Sequence, residues 1–221
     1  MPLPVLIWMG ALLVGAIMWR KIVNKLKGKK LAVLGARGVG KTQLIKFLSS
    51  GSIPAVTKQT SVTEKAGSRR FQLKELDLKV EETLDVPGDK AFYAEWKDLY
   101  AQSDIILYLL RADRLIASDA VVEARVRDDL RHIGGWLDAR EGAQRPRLFI
   151  IGTHCDLDDE FVTQYADRKG DYMDKFRKLP IVSELVARGG GTRETKIVLG
   201  SLKTIQDTEA LVYELFRQVV S

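Results

Sequence analysis

The feature that most constrains this chain is a glycine-rich octapeptide, Gly35-Ala36-Arg37-Gly38-Val39-Gly40-Lys41-Thr42. The apolar run 31–34 before it predicts a buried strand, and the apolar spacing of 43–48 after it predicts a helix. A strand, a glycine loop, a Lys-Thr pair and a helix in this order are typical of a phosphate-binding P-loop. The helix amino terminus adds partial positive charge. We therefore expect phosphate contacts from Gly35, Arg37, Gly38, Val39, Gly40, Lys41 and Thr42, with the Thr42 hydroxyl also on Mg²⁺.

A second motif, Asp85-Val86-Pro87-Gly88, ends an apolar strand predicted over 78–86. A carboxylate at the end of such a strand holds Mg²⁺ through water, and the N–H of Gly88 is placed to meet a γ-phosphate. The stretch 52–63 before it reads as a Ser/Thr-rich loop. In P-loop switches a threonine of this loop coordinates Mg²⁺ and orders the loop around the triphosphate. On spacing alone, Thr57, Thr60 and Thr63 compete for that role.

The third motif is Thr153-His154-Cys155-Asp156, which directly follows an apolar strand predicted over 148–152. A carboxylate here accepts hydrogen bonds from N1–H and the N2 amine of guanine, and adenine would leave it unpaired. The alternative is that Asp156 caps the helix that follows, and both roles are compatible. After the last predicted strand, 196–200, come Ser201, Leu202 and Lys203, whose backbone and lysine side chain are placed to contact the base.

The first residues predict a membrane anchor. Residues 3–19 contain no charged side chain, which is 17 positions, and Trp19 lies where an interfacial aromatic belongs. A cleaved signal peptide or a buried helix is the alternative, but a signal peptide normally carries positive charge before its apolar core. Here all the positive charge follows the core. We expect a single-pass anchor over 1–23, with the N-terminus outside and the rest of the chain in the cytoplasm.

Charge is concentrated next to the predicted anchor. The chain has a formal net charge of +6, and residues 20–30 hold six basic residues and no acidic one, so the remainder is neutral overall. We expect a basic juxtamembrane linker over 24–30 and no nucleic-acid partner, because such a partner would require basic residues spread over a folded face. The single cysteine, Cys155, excludes an internal disulfide and fits a reducing compartment.

The remaining segments alternate between strand and helix. Residues 69–76 read as a half-buried edge strand and 105–110 as a central parallel strand. Helices are predicted over 118–140, 161–188 with interruptions near Gly170 and at Pro180, and 204–220. An aromatic stripe with helical spacing is interpreted as core or, in part, as a partner surface: Phe92, Tyr93, Trp96, Leu99 and Tyr100.

In the order of these motifs the chain resembles the Ras-like small GTPases over residues 30–221. Within them it is most similar to the Arf-related family of signal recognition particle receptor β subunits, which also carry an N-terminal anchor. The string 59–64 is similar to the first switch of that family and points to Thr60 as the Mg²⁺ threonine. The resemblance implies a three-layer α/β/α P-loop G domain over 31–221 with a mostly parallel sheet, GTP or GDP with Mg²⁺, and a protein effector or receptor that contacts the switch regions.

Three departures from the family pattern bear on activity. The usual Asn-Lys-x-Asp motif is Thr153-His154-Cys155-Asp156 here, a variant related to that of Roc-type GTPase domains. Asp89 stands where Ras-like proteins often carry a water-orienting Gln, and Arg37 where many have Gly. We expect a GTP/GDP switch with slow intrinsic hydrolysis and no assured catalytic residue. The alternative is a structural membrane receptor subunit that retains GTP with little turnover.

Overall fold

The computed structural model describes residues 20–22, 24–50, 79–81, 93–138, 145–164 and 169–220. In this part of the chain one parallel sheet has the strand order β2-β1-β3-β4-β5. The long segments between consecutive strands provide the crossovers that parallel pairing requires. The strands predicted around the P-loop, at 105–110, at 148–152 and near 196–200 are confirmed, whereas the one predicted over 69–76 lies outside the described residues. The strands are β1 (Lys30–Gly35), β2 (Lys79–Glu81), β3 (Ile105–Arg111), β4 (Arg147–Thr153) and β5 (Thr195–Leu199).

Helices lie in the described parts of the connections between the strands. The helices predicted over 118–140 and 204–220 are confirmed, and the region predicted as helical with two interruptions, 161–188, contains three helices in its described part. Pro180 begins the last of these, a position at which its missing N–H costs nothing, while Gly170 lies inside a helix. The helices are α1 (Lys41–Ser50), α2 (Tyr93–Gln102), α3 (Ala112–Ile116), α4 (Ala120–Asp138), α5 (Asp159–Gln164), α6 (Lys169–Arg177), α7 (Pro180–Arg188) and α8 (Ile205–Val220).

The sheet is covered on both faces. Successive residues of a strand point to opposite faces, and in β3 Leu107 joins one apolar cluster while Ile106 and Tyr108 join the other. The first cluster packs β1 and β3 against α1 and α8. The second packs them against α2, α4 and α7. The result is the three-layer α/β/α arrangement expected from the sequence.

The basic segment before β1 contributes to this core. Residues 20–22 and 24–26 are helical, and the side chains of Ile22 and Leu26 are fully buried in the first cluster. Within the segment predicted as a basic linker, 24–30, Leu26 packs against the domain and Lys30 begins β1. Most of the predicted anchor, residues 1–19, lies outside the described residues. Within the described ranges, no helix is long and apolar enough to cross a membrane.

A buried polar cluster joins the start of α2 to β3 and α4. The Asp129 side chain is fully buried and accepts hydrogen bonds from Tyr93 Oη at 2.7 Å, Tyr108 Oη at 2.9 Å and Arg125 Nε at 2.8 Å. Trp96 is also buried beside it, which favours the core interpretation for this part of the aromatic stripe. Phe92 lies outside the described residues. Burial and the neighbouring Asp129 raise the pKa of both tyrosines, so they remain protonated donors.

Candidate functional site

The glycine loop connects the end of β1 to the start of α1, as the motif predicts. Gly35 has a φ of 144° and Gly40 a φ of 94°, which are left-handed values that side-chain-bearing residues rarely adopt. A Cβ at Gly40 would lie 2.6 Å from Leu202 Cδ1, and one at Gly35 would collide with the carbonyl oxygen of Leu109. The loop therefore packs closely against the ends of neighbouring strands, and these two positions require glycine.

Lys41 lies across the inside of this loop. Its side chain is buried, and Nζ donates a 2.8 Å hydrogen bond to the carbonyl oxygen of Ala36. The first turn of α1 contains no acidic residue, so no carboxylate of that turn neutralises the partial positive charge of the helix amino terminus. Thr42 is half-buried beside Lys41. These groups form a site with the charge and donors that an anionic phosphate requires.

The hydroxyl of Thr153 links the third motif to the glycine loop. The side chain is fully buried at the end of β4, and Oγ1 lies 2.9 Å from the carbonyl oxygen of Val39 and 3.1 Å from that of Leu110. His154 Nδ1 lies 2.9 Å from the same Oγ1. Because a hydroxyl donates only one proton, Thr153 bonds one carbonyl at a time and accepts from the imidazole N–H. The predicted base motif is thereby fixed relative to the P-loop.

His154 adopts an unusual backbone conformation, with φ of 61° and ψ of 25°. Burial lowers its pKa, and the positive charge of Arg111 lowers it further, against the opposing effect of Asp113 and Asp156. The ring is therefore neutral at neutral pH and bears one N–H, which the Thr153 contact assigns to Nδ1. Arg111 itself forms two hydrogen bonds to the Asp113 carboxylate at the end of β3.

Asp156 lies in a single 3₁₀ turn, Cys155–Leu157, with its carboxylate largely buried but facing the lysine of the last motif. Lys203 Nζ is 3.7 Å from Asp156 Oδ2, and the lysine side chain is 67% exposed. Helix capping, the alternative role predicted for Asp156, is performed by Asp158. Asp158 Oδ1 accepts the backbone N–H groups of Glu160 at 2.9 Å and Phe161 at 3.1 Å. The Asp156 oxygens are therefore not used for capping.

The loop after β5 completes the same edge of the sheet. Leu202 is buried against Gly40, and its carbonyl oxygen accepts a hydrogen bond from the side-chain amide of Gln43 in α1. Ser201 Oγ accepts from the Lys203 N–H at 3.0 Å. The backbone N–H of Cys155 donates to the carbonyl of Gly200 at 3.2 Å, joining the loops after β4 and β5. Three separate sequence motifs thus meet at the carboxyl edge of the parallel sheet.

Sequence reasoning did not single out some residues of this edge. Gln43, Arg111, Asp113 and Asp158 tie the loops together or lie beside the candidate base site. The position of Arg111 at the carboxyl end of a central strand could have indicated a place at this edge of the sheet. The Gln43 contact, by contrast, depends on how α1 is oriented about its own axis. Several predicted positions lie outside the described residues: Thr57, Thr60, Thr63, Asp85, Gly88 and Asp89. Among the residues that are described, no cluster of three or more His, Cys, Asp or Glu side chains is suited to hold a metal.

Comparisons with known proteins agree with this architecture. No protein-family model matches the sequence, and no curated protein matches it. Among solved structures the chain is similar to the ADP-ribosylation-factor-like GTP-binding protein, the small COPII coat GTPase SAR1 from Encephalitozoon cuniculi, in complex with GDP. The match has a TM-score of 0.53 and 16% identity, and covers 96% of this chain and 91% of that chain. The described part of the chain thus has the α/β fold of a small GTPase, with its three predicted loops at one edge of the sheet.

Proposed function

We propose that this chain is a membrane-anchored GTP-binding switch that hydrolyses GTP slowly. The observation that carries the proposal is the convergence of the glycine loop, the Thr153–Asp156 loop and the Ser201–Lys203 loop at one sheet edge. Ligands of open α/β sheets bind at this edge. The similar SAR1 structure contains GDP, which supports a guanine nucleotide as the ligand here.

The described residues fit the proposed nucleotide. Lys41 would exchange its bond to the Ala36 carbonyl for phosphate oxygens, and the amino terminus of α1 would donate N–H groups to them. Thr42, Thr60 and Asp85 are the proposed Mg²⁺ positions, and Mg²⁺ would neutralise charge on the phosphates. Gly88 would sense the γ-phosphate and change the surface offered to a protein effector or receptor. The motif resemblance to signal recognition particle receptor β subunits supports this assignment.

Base recognition is tested with the Asp156→Asn variant. The change keeps the shape but replaces one acceptor oxygen with a donor, so it should lose affinity for GTP. It should gain relative affinity for xanthosine triphosphate, whose base presents an acceptor where guanine presents the N2 amine. Calorimetry with GTP, ATP and xanthosine triphosphate measures the exchange, with Asp159→Asn as the matched control in α5. A wild-type preference for ATP would refute the assignment.

Turnover is tested at Asp89. Two unit charges about 4 Å apart repel by about 4 kcal/mol at an effective dielectric near 20. Repulsion between a carboxylate and the γ-phosphate therefore opposes hydrolysis more than the same carboxylate assists it as a general base. We expect Asp89→Ala and Asp89→Gln to leave single-turnover hydrolysis unchanged or faster. A tenfold fall with intact GTP binding would make Asp89 a catalytic base. Near-zero turnover in all forms, with nucleotide retained, would instead favour the structural receptor subunit.

The anchor is tested by truncation. A chain that begins at residue 20 keeps Ile22 and Leu26 in the core and should bind nucleotide in solution without membranes. A chain that begins at residue 31 loses both side chains from the core and should be less stable. Full-length protein should float with vesicles of phosphatidylcholine after a carbonate wash. Release of the full chain by carbonate would overturn the anchor and the proposed single-pass topology.

A further inference from the structure

The segment before β1 is a short amphipathic helix whose two faces have different environments. Ile22 and Leu26, four residues apart, are fully buried against the residues of α1 and α8 in the first cluster. The exposed positions of this segment include four cationic residues: Arg20, Lys21, Lys25 and Lys27. Because Ile22 and Leu26 are held in the core, the exposed face of this helix has a fixed position relative to the G domain. The four cations on that face share this fixed position.

These cations are not used within the described part of the domain. Lys29, in the same basic run, forms an ion pair with Asp104 at 3.0 Å, and the backbone N–H of Lys30 donates to the same carboxylate at 2.9 Å. By contrast, Arg20, Lys21, Lys25 and Lys27 form no ion pair with any other residue in the described ranges. Outside residues 20–30 the chain is neutral overall, so this basic run carries the net positive charge of the protein.

We propose that this exposed basic face, Arg20, Lys21, Lys25 and Lys27, docks on an anionic bilayer surface and holds the domain in one orientation. The 17-residue uncharged run 3–19 ends directly before Arg20, which places the face at the polar boundary of the proposed span. Cationic side chains in that position gain affinity from anionic headgroups. The inference rests on the proposed anchor for its nearness to the bilayer, and it is independent of which nucleotide binds.

The docked orientation has a consequence for the candidate nucleotide site. The basic helix enters β1 at Lys30, and the glycine loop leaves β1 at Gly35, about 17 Å away at about 3.3 Å per residue. The bilayer contact and the candidate nucleotide site therefore lie at opposite ends of the strand. Membrane docking leaves the carboxyl edge of the sheet open to nucleotide and to a cytoplasmic partner.

The docking face is tested by lysine acylation of the full chain in nanodiscs. One preparation contains phosphatidylcholine alone, and the other contains three parts phosphatidylcholine to one part phosphatidylserine. A water-soluble ester modifies exposed amines, and mass spectrometry gives the rate at each lysine. We expect Lys21, Lys25 and Lys27 to react about fivefold more slowly with phosphatidylserine present, and high salt to remove the difference. Lys97 and Lys178, exposed elsewhere on the domain, should react equally in both preparations.

A paired variant separates docking from simple nearness to the membrane. Arg20→Gln with Lys21→Gln should reduce the protection of Lys25 and Lys27, whereas Arg127→Gln with Arg131→Gln on α4 should leave it intact. Equal rates in the two preparations, or unchanged protection in the first variant, would overturn the docking face. Carbonate extraction from the phosphatidylcholine discs reports the anchor separately. An anchored chain without lysine protection refutes the docking face and leaves the anchor standing.

Discussion

Two carboxylates of this molecule show how differently the same group is used. Asp129 has no exposed surface and accepts from two tyrosines and an arginine at 2.7–2.9 Å. Asp156 keeps 20% of its side chain exposed, and its carboxylate lies 3.7 Å from the ammonium of Lys203. In Asp129 the acceptor capacity is used by the protein itself, whereas in Asp156 most of it remains for a ligand. The first is a structural group and the second a candidate recognition group.

The surroundings of the two carboxylates differ as well. Asp129 lies on the long helix α4, is held by side chains of three different elements and joins α2 to the sheet. Asp156 lies in a one-turn loop whose position is set by backbone bonds and by Thr153. Changing Asp129 should therefore alter folding, and changing Asp156 should alter binding.

The largest expected effect is on stability. Asp129→Ala leaves Arg125 and the hydroxyls of Tyr93 and Tyr108 without their buried acceptor. We expect it to lower the free energy of unfolding by about 3–5 kcal/mol, as the loss of one partner of a buried ion pair does. Asp156→Ala removes only a loose, partly exposed pair and should change it by less than about 1 kcal/mol. Urea unfolding of residues 20–221 measures both, and equal losses would remove the distinction.

The next effect is on ligand affinity. Lys41→Ala removes an ammonium that would form several charge-assisted hydrogen bonds to phosphate, so we expect GTP affinity to fall by about 100-fold or more. Without nucleotide, it should destabilise the domain less than Asp129→Ala, because the Ala36 carbonyl that loses its hydrogen bond is a neutral acceptor. Calorimetry measures affinity, with Lys46→Ala on the same helix as control. Unchanged affinity would refute the phosphate site.

The two regions also differ in how far the sequence predicts them. The glycine loop, the strand ends and Asp156 are local patterns, because each motif lies next to the strand that positions it. The parallel order follows from apolar runs such as 105–110 separated by helical segments. The positions in the fold of the loops proposed to bind phosphate and base are therefore predictable from the sequence alone.

The Asp129 cluster was not predictable in the same way. Its partners lie 4, 21 and 36 positions away in the sequence, and α4 contains several acidic and basic residues with no local sign of which one is buried. Only the tertiary packing turns one of its carboxylates inward. The same applies to Leu26, whose basic neighbours indicate a linker although its side chain completes the core. Local composition indicates which kind of segment to expect, whereas long-range contacts determine which of its side chains are buried.

The smallest expected effect concerns pH. Burial raises the pKa of Asp129 above its ordinary value of 3.8, and the hydrogen bonds from Tyr93, Tyr108 and Arg125 offset this only in part. The folded state therefore binds more protons than the unfolded state between the ordinary and the raised value. The contribution of Asp129 to stability is highest below pH 3.8 and falls as the pH rises through the raised pKa. Asp129→Asn cannot titrate, so its stability relative to the wild type should improve as the pH rises.

Asp113 provides a control of opposite sign. Burial alone would raise its pKa, but the hydrogen bonds and charge of Arg111 outweigh burial and lower it. Asp113 therefore stabilises the fold above its ordinary pKa and loses that contribution as the pH falls. The stability of Asp113→Asn relative to the wild type should therefore fall as the pH rises. Urea unfolding of both variants from about pH 2.5 to about pH 7 tests the pair, because the Asp113 contribution changes mainly below pH 3.8 and the Asp129 contribution mainly above it. Each unit of pKa shift corresponds to about 1.4 kcal/mol. The stability of each variant relative to the wild type could instead change with pH in the same direction. In that case Asp129 would be stabilised in its ionised form, and burial would not be the dominant influence on that carboxylate.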